Sequence, residues 1–332
     1  MSMRKGRNLW LDLMKLVLCW MIISIHFTWE TYDYHPVYRL AVPMFFVISG
    51  YFNYRIDASS RQSGAMAFIK RSLKYMVFGF AFYIVFDFIM CYVDDKGVGY
   101  YFTTLFYENF WFDFVFLNRP ITYSGAQLWF LIALFIVSLV HYLLVRFKKE
   151  HYYFWIVPVT LAVQIFFGGY MRLFQFTDMP IRYTRNAWFM GLPFFGMGYL
   201  LAQFDLHKKR WYKYIYLCLG MLFFLLQIRE HELVKTEVYA STVPATAFLL
   251  LFFLGLPSPK ADLYYNWVGK DASFWIYILH MAVGIIVGRL YEFEDLLLRS
   301  IIIWVVSLAV YEIGFLFMKL LRKIRRKAVI LT

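Results

Sequence analysis

The chain has 332 residues, 62% of them hydrophobic and only 17% charged, with a net charge of +13 and a mean hydropathy of +0.57. A soluble domain sits nearer half apolar, so an ordinary water-soluble globule is excluded. The apolar residues come in continuous runs of roughly 17–21, enough at ~1.5 Å per residue to cross ~30 Å of hydrocarbon, and not in the alternating pattern of a β-barrel. The expected fold is therefore all-α, a polytopic membrane bundle forming one membrane-embedded domain over residues 1–332.

The predicted spans in chain order are 9–29, 38–54, 75–93, 126–146, 152–170, 188–204, 211–229, 239–256, 272–290 and 299–319. The first two face each other across a short polar loop, and the second is expected to pack on the first. The charge distribution agrees with this count. With the N-terminus in the cytoplasm, segments 1–8, 55–74, 146–151, 205–213, 257–271 and 319–332 are cytoplasmic, and they hold most of the 34 Lys and Arg residues. Glu30, Asp33, Asp94, Asp95, Glu230, Glu232 and Glu237 fall outside. That positive-inside bias favours both termini in the cytoplasm. It also accounts for the net charge, so no nucleic-acid partner is expected. Met1–Asn8 is basic but no small-residue cleavage site follows, so a cleavable leader is not expected.

Two non-spanning stretches stand out. Tyr54–Lys74 reads as a basic cytoplasmic segment. Asp94–Gly125 is aromatic with interleaved polar residues, which suits an interfacial helix or re-entrant piece. The terminal LRKIRRK is a basic flank suited to lipid headgroups. No repeat and no appended soluble domain is visible. Cys19, Cys91 and Cys218 lie in three different predicted spans with no metal-ligand or redox spacing, so they read as packing residues and no metal is expected.

Ionisable groups inside apolar runs are costly and normally face a protein interior or an aqueous cavity. Span one carries Asp12, Lys15 and His26. At 100° per residue, Asp12, Lys15, Cys19 and His26 fall on one face, as a stripe ~21 Å long. An Asp12–Lys15 ion pair is the bland alternative to a functional role. Span nine, SFWIYILHMAV, sets Ser273, Tyr277 and His280 on one face. Lys70, Arg71 and Lys74 precede span three on the cytoplasmic side, where cations hold either lipid phosphates or a phosphorylated soluble ligand. Asp87 and Glu312 are the other intramembrane acids; each is placed to orient a histidine or pair with a cation. His141, His151, His207 and His231 carry no assigned role. No Walker A, GxGxxG, GxSxG or HExxH pattern is present. Among enzymes, this leaves histidine acid–base chemistry in a membrane, with a phosphate-bearing ligand on the cytosolic side.

These residues resemble the acyltransferase-3 family of membrane-integral O-acyltransferases, which modify bacterial surface glycans. WLDLMKLVLCWMIISIH is similar to the family's first span, VPMFFVISGYF to its second-span signature, and FIKRSLKY to the basic motif before span three. QLWFLIALFIV resembles the start of a central span and SFWIYILH a late motif. The resemblance covers essentially the whole chain. It implies a bacterial inner-membrane, multi-pass enzyme with no bound cofactor. Acyl-CoA, usually acetyl-CoA, is the co-substrate, and a hydroxyl of a cell-surface or lipid-linked saccharide is the acceptor. His26 matches the essential histidine, as general base or acyl carrier, and Arg71 the first Arg of an Arg-x-x-Arg motif. Lys74 stands at the second Arg position, keeping the charge but losing the planar fork. Lys15 stands where relatives often carry Arg, and Lys70 joins the donor-binding set. Asp12, His280, Tyr277, Ser273 and Glu312 are supporting candidates. The alternative from another class is a transporter or flippase for a lipid-linked glycan or small anion. Paired Gly/Pro-broken spans in both halves would favour it, and Gly168–Gly169 and Gly191–Pro193 lie side by side instead.

Overall fold

The computed structural model describes residues 8–27, 36–97, 109–177, 179–204, 206, 211–257, 268 and 271–331, with side chains for all but 58 and 322–331. The loop 28–35 and segment 98–108 lie outside the described residues, as do most of 1–8 and 258–270. No strand occurs among the described residues. The principal helices are α1 (Leu9–Phe27), α2 (Ala41–Asn53), α3 (Ala58–Val93), α4 (Phe110–Phe116), α5 (Trp129–Arg146), α6 (Tyr153–Gly168), α7 (Leu192–Phe204), α8 (Tyr212–Leu233), α9 (Thr242–Gly255), α10 (Ala272–Leu290) and α11 (Leu296–Leu331). They form two compact units: Met1–Asp33 with Leu256–Thr332, and Tyr34–Gly255.

Seven helices among the described residues are long and apolar enough to cross a membrane. The other three predicted spans coincide with α2, α7 and α9, which have 13, 13 and 14 residues. Their shortness has a common cause. Pro43, Pro193 and Pro244 each sit in the first helical turn, where a missing N–H costs nothing. The residues before them take other turns: a 3₁₀ stretch Pro36–Leu40 ahead of α2 and a π-turn Ala187–Gly191 ahead of α7.

Two expectations change. Tyr54–Lys74 is not a separate cytoplasmic segment: from Ala58 onward it is helical and continuous with span three, giving α3 its 36 residues. Charge marks the side of the membrane but not the backbone conformation, and 59–74 contains no proline to end a helix. The second change concerns α2. Its principal partner is α7 in its own unit, while α1 packs on α10 and α11. Gly50 and Gly198 make the α2–α7 crossing possible. A methyl group at Gly50 would lie 1.8 Å from the Phe195 carbonyl oxygen, and one at Gly198 would lie 2.0 Å from that of Val47. Small residues let helix backbones approach closely in a membrane, where lipid competes for every apolar side chain.

Ser72 and Ser138 join α3 to α5 by a buried 2.9 Å hydrogen bond, and Phe68 stacks on Phe195 of α7 at 5.4 Å. Near the other end of α3, buried Asp87 accepts the backbone N–H groups of Tyr123 and Ser124 at 2.7 and 3.0 Å. Its carboxylate anchors the turn that leads into α5, which is a structural use of an acid expected to serve a histidine or a cation. In α4, Trp111 and Phe112 are exposed.

Candidate active site

The unit containing α1, α10 and α11 brings the two polar stripes together. Asn8 caps α1 with its side-chain oxygen, accepting from the Trp10 N–H at 3.0 Å. One turn on, Lys15 Nζ donates to Asp12 Oδ1 at 2.8 Å. Farther along, Cys19 Sγ donates to the Ser273 carbonyl at 3.2 Å, and the His26 and His280 rings lie 5.5 Å apart, centroid to centroid. His26 follows Cys19 by the same interval as His280 follows Ser273, so α1 and α10 run parallel with their polar faces in register. α11 runs the opposite way. Its Ser300 accepts from Trp20 Nε1 and from Ser24 Oγ, both at 3.2 Å, while Trp304 Nε1, farther along α11, donates to the Leu16 carbonyl. These bonds hold the half of α1 that carries His26.

His280 is fully buried. Its Nδ1 lies 3.3 Å from the Ile276 carbonyl. A carbonyl only accepts, so in the neutral ring Nδ1 carries the proton and Nε2 presents a lone pair. That Nε2 is buried with no hydrogen-bond partner among the described residues. Buried polar atoms are normally satisfied, so an orphaned lone pair beside a second imidazole marks a place built for something other than packing. Tyr277 flanks the pair with its ring 5.8 Å from His280. One turn beyond, Gly284 is bare because Phe27 lies on it: a methyl there would be 2.0 Å from the ring.

The other predicted residues separate by environment. Ser273 takes part through its backbone carbonyl. Lys15 has Asp12 as its counter-ion, so the bland alternative is the one formed. Glu312 Oε1 is buried and hydrogen-bonds to neither histidine. Lys70, Arg71 and Lys74 belong to the second unit, on the α3 turn locked inward by Ser72, and all three side chains are exposed. The Arg71 guanidinium lies 5.7 Å from the Phe68 ring centre.

Several buried polar features, most of them in the second unit, were not evident in the sequence. His141 is buried with its Nδ1 3.1 Å from the Tyr153 hydroxyl. Arg39 and Glu237 form a buried ion pair at 2.6 Å. An open cleft of about 420 Å³ between α8 and α9 is lined by Phe223, Leu226, Leu233 and Pro244 with Arg229 and Glu230, and contains no predicted site residue. Gly284 was visible as a signal, since it shares the His280 face one turn on.

The described residues are helical without strands, and seven of their helices are long and apolar enough to cross a membrane, which is the character of a multi-pass membrane protein. The acyltransferase domain model of the acyltransferase-3 family matches residues 8–330, and the chain belongs to that family. No curated protein and no solved structure matches it.

Proposed function

We propose that the protein transfers an acyl group, acetyl in the simplest case, from cytoplasmic acyl-CoA to a hydroxyl of a cell-surface or lipid-linked glycan, across a bacterial inner membrane spanned ten times with both termini inside. The observation that carries the reading is the half-buried His26 ring beside the buried His280, whose Nε2 has no partner among the described residues. His26 is the general base. It takes the proton from the acceptor hydroxyl as that oxygen attacks the thioester carbonyl and forms the new C–O bond. The tetrahedral intermediate then expels the coenzyme A thiolate, which takes up the proton held by His26. His280, buried and fixed through Nδ1, is a positioning residue that offers its lone pair to the acceptor hydroxyl or to the His26 ring. A covalent route, with acyl-His26 formed and then attacked by the sugar, uses the same atoms.

The donor is held by Arg71, Lys74 and Lys70. Coenzyme A carries phosphates, and an exposed cationic turn at the cytoplasmic end of a spanning helix suits them. Arg71→Gln is expected to raise the KM for acetyl-CoA on the order of 10-fold or more, matching the ~1.5–3 kcal/mol of a hydrogen bond to a charged group. Lys74→Gln should act in the same direction with a smaller effect, lacking the bidentate fork. Initial rates against acetyl-CoA concentration in proteoliposomes measure both. An unchanged KM would return these residues to anchoring lipid phosphates.

The function itself is tested by mass spectrometry of surface glycans from cells with and without the gene. Deletion is expected to remove O-acyl esters from one glycan, and the wild-type gene to restore them. Unchanged glycans accompanied by altered uptake or export would overturn the reading in favour of a transporter.

A further inference from the structure

Arg299 is the unexplained cation beside the histidine pair. It lies in the first turn of α11, and its guanidinium carbon is 5.4 Å from the centre of the Phe27 ring, next in sequence to His26. It also reaches α10, where a methyl group at Gly288 would stand 3.1 Å from Nη2. His280, Gly284 and Gly288 are spaced one turn apart on one face of α10. They meet His26, Phe27 and Arg299 respectively. The two glycines therefore let the Phe27 ring and the Arg299 guanidinium lie directly against α10.

Charge bookkeeping around Arg299 is incomplete. Its Nε is buried without a hydrogen-bond partner, and the side chain makes no ion pair among the described residues. The nearby acids among the described residues do not supply one. Asp295 uses its carboxylate to cap α11, accepting the N–H groups of Leu297 and Leu298 at 2.8 and 3.1 Å. Glu292 and Glu294 are exposed in the connection to α10. A part-buried guanidinium with no acceptor among the described residues is suited to hold an anion. It stands two turns, ~12 Å, from His280 along α10, too far to touch the reacting carbonyl.

Resting on the acyl-transfer reading, we infer that Arg299, backed by Phe27 and admitted by Gly288, binds an oxyanion on the acceptor, so the enzyme acts on an acidic saccharide. The carboxylate of a uronic acid and the phosphate of a sugar phosphate share the required chemistry: a planar or tetrahedral oxyanion that a guanidinium grips with two parallel hydrogen bonds. The anion sets which sugar hydroxyl reaches His26.

The test is ligand-induced thermal stabilisation of the full chain in nanodiscs. The probes are D-glucuronate, glucose 1-phosphate and neutral methyl glucoside at matched ionic strength, with coenzyme A as a separate probe of the donor site. Glucuronate or glucose 1-phosphate is expected to raise Tm by a few degrees at concentrations well above its Kd, and the neutral sugar not to. Arg299→Gln should abolish that shift, Arg299→Lys should keep part of it, and Arg71→Gln should leave it intact while removing the shift from coenzyme A. The stronger of the two anionic probes identifies the oxyanion. Equal shifts from neutral and anionic sugars, or a shift surviving in Arg299→Gln, overturn the subsite. Stabilisation by phosphatidylglycerol discs over phosphatidylcholine discs, lost in Arg299→Gln and without response to either sugar, also overturns it by naming a lipid headgroup as the anion. If coenzyme A stabilises the protein and no sugar does, the subsite fails and the acyl-transfer reading stands. If coenzyme A also gives no shift, that reading fails first. Arg299→Lys keeps the test readable should Arg299→Gln not fold.

Discussion

Replacing His26 with Ala is expected to lower acyl transfer by at least ~10²–10⁴-fold, the range a positioned general base contributes. Membrane insertion and yield should remain those of the wild type. His26 is only partly buried, and α1 is held elsewhere by Trp20, Ser24 and the Leu16 carbonyl against α11. Acetyl-CoA turnover in proteoliposomes, normalised to folded protein, gives the number. His280→Gln should also lower the rate. If the base and positioning roles are divided as proposed, its loss is the smaller of the two, because the His26 ring remains present and merely less well held. Transfer surviving in His26→Ala at near wild-type rate would sink the assignment. A larger loss at His280 than at His26 would exchange the two roles. Trapping labelled protein after a pulse of labelled acetyl-CoA without acceptor separates the two chemical routes, since only the covalent one leaves label on His26.

The second large effect concerns stability. Gly50→Ala and Gly198→Ala each drive a methyl group into a backbone carbonyl of the facing helix, at 1.8 and 2.0 Å. Backbone on both sides cannot swing away as a side-chain end would. The cost is expected at or above the top of the ~1–3 kcal/mol usual for overpacking, enough to deplete the folded protein. Gly314→Ala is the control: nothing lies within 4 Å of its added methyl, and helix propensity makes the change favourable by up to ~1 kcal/mol. The fraction remaining monodisperse in detergent after heating should fall sharply for the first two and hold or rise for the third. Equal behaviour of all three would mean that the crossing is looser than described.

The parts legible in the sequence are those governed by local periodicity. The faces of α1 and α10 follow from 100° per residue, so the stripe through Cys19 and His26 and the one through Ser273 and His280 were each readable alone. That the two stripes meet depends on a contact more than 250 residues apart in sequence, and no local pattern encodes it. The same applies to α2. VPMFFVISGYF shows an apolar helix with a glycine, but the carbonyl that requires that glycine belongs to Phe195. Adjacency in sequence pointed to α1 as its partner, and close packing of two glycine-bearing helices took precedence. Asp87 shows a related limit: that its buried carboxylate accepts the Tyr123 and Ser124 N–H groups follows from the fold of 118–125 and from no local pattern. Arg299 was visible only as one more positive charge. Its want of a counter-ion is a property of the packed unit.

The length of α3 has a further consequence. At ~1.5 Å per residue its 36 residues extend ~54 Å, against ~30 Å of hydrocarbon. The basic turn and the Asp87 anchor are thus two marks on one stiff rod. The Ser72–Ser138 bond fixes its rotation as well as its height. The exposed Arg71 and Lys74 are therefore held at a set distance along the rod from the turn that Asp87 anchors, within the same unit.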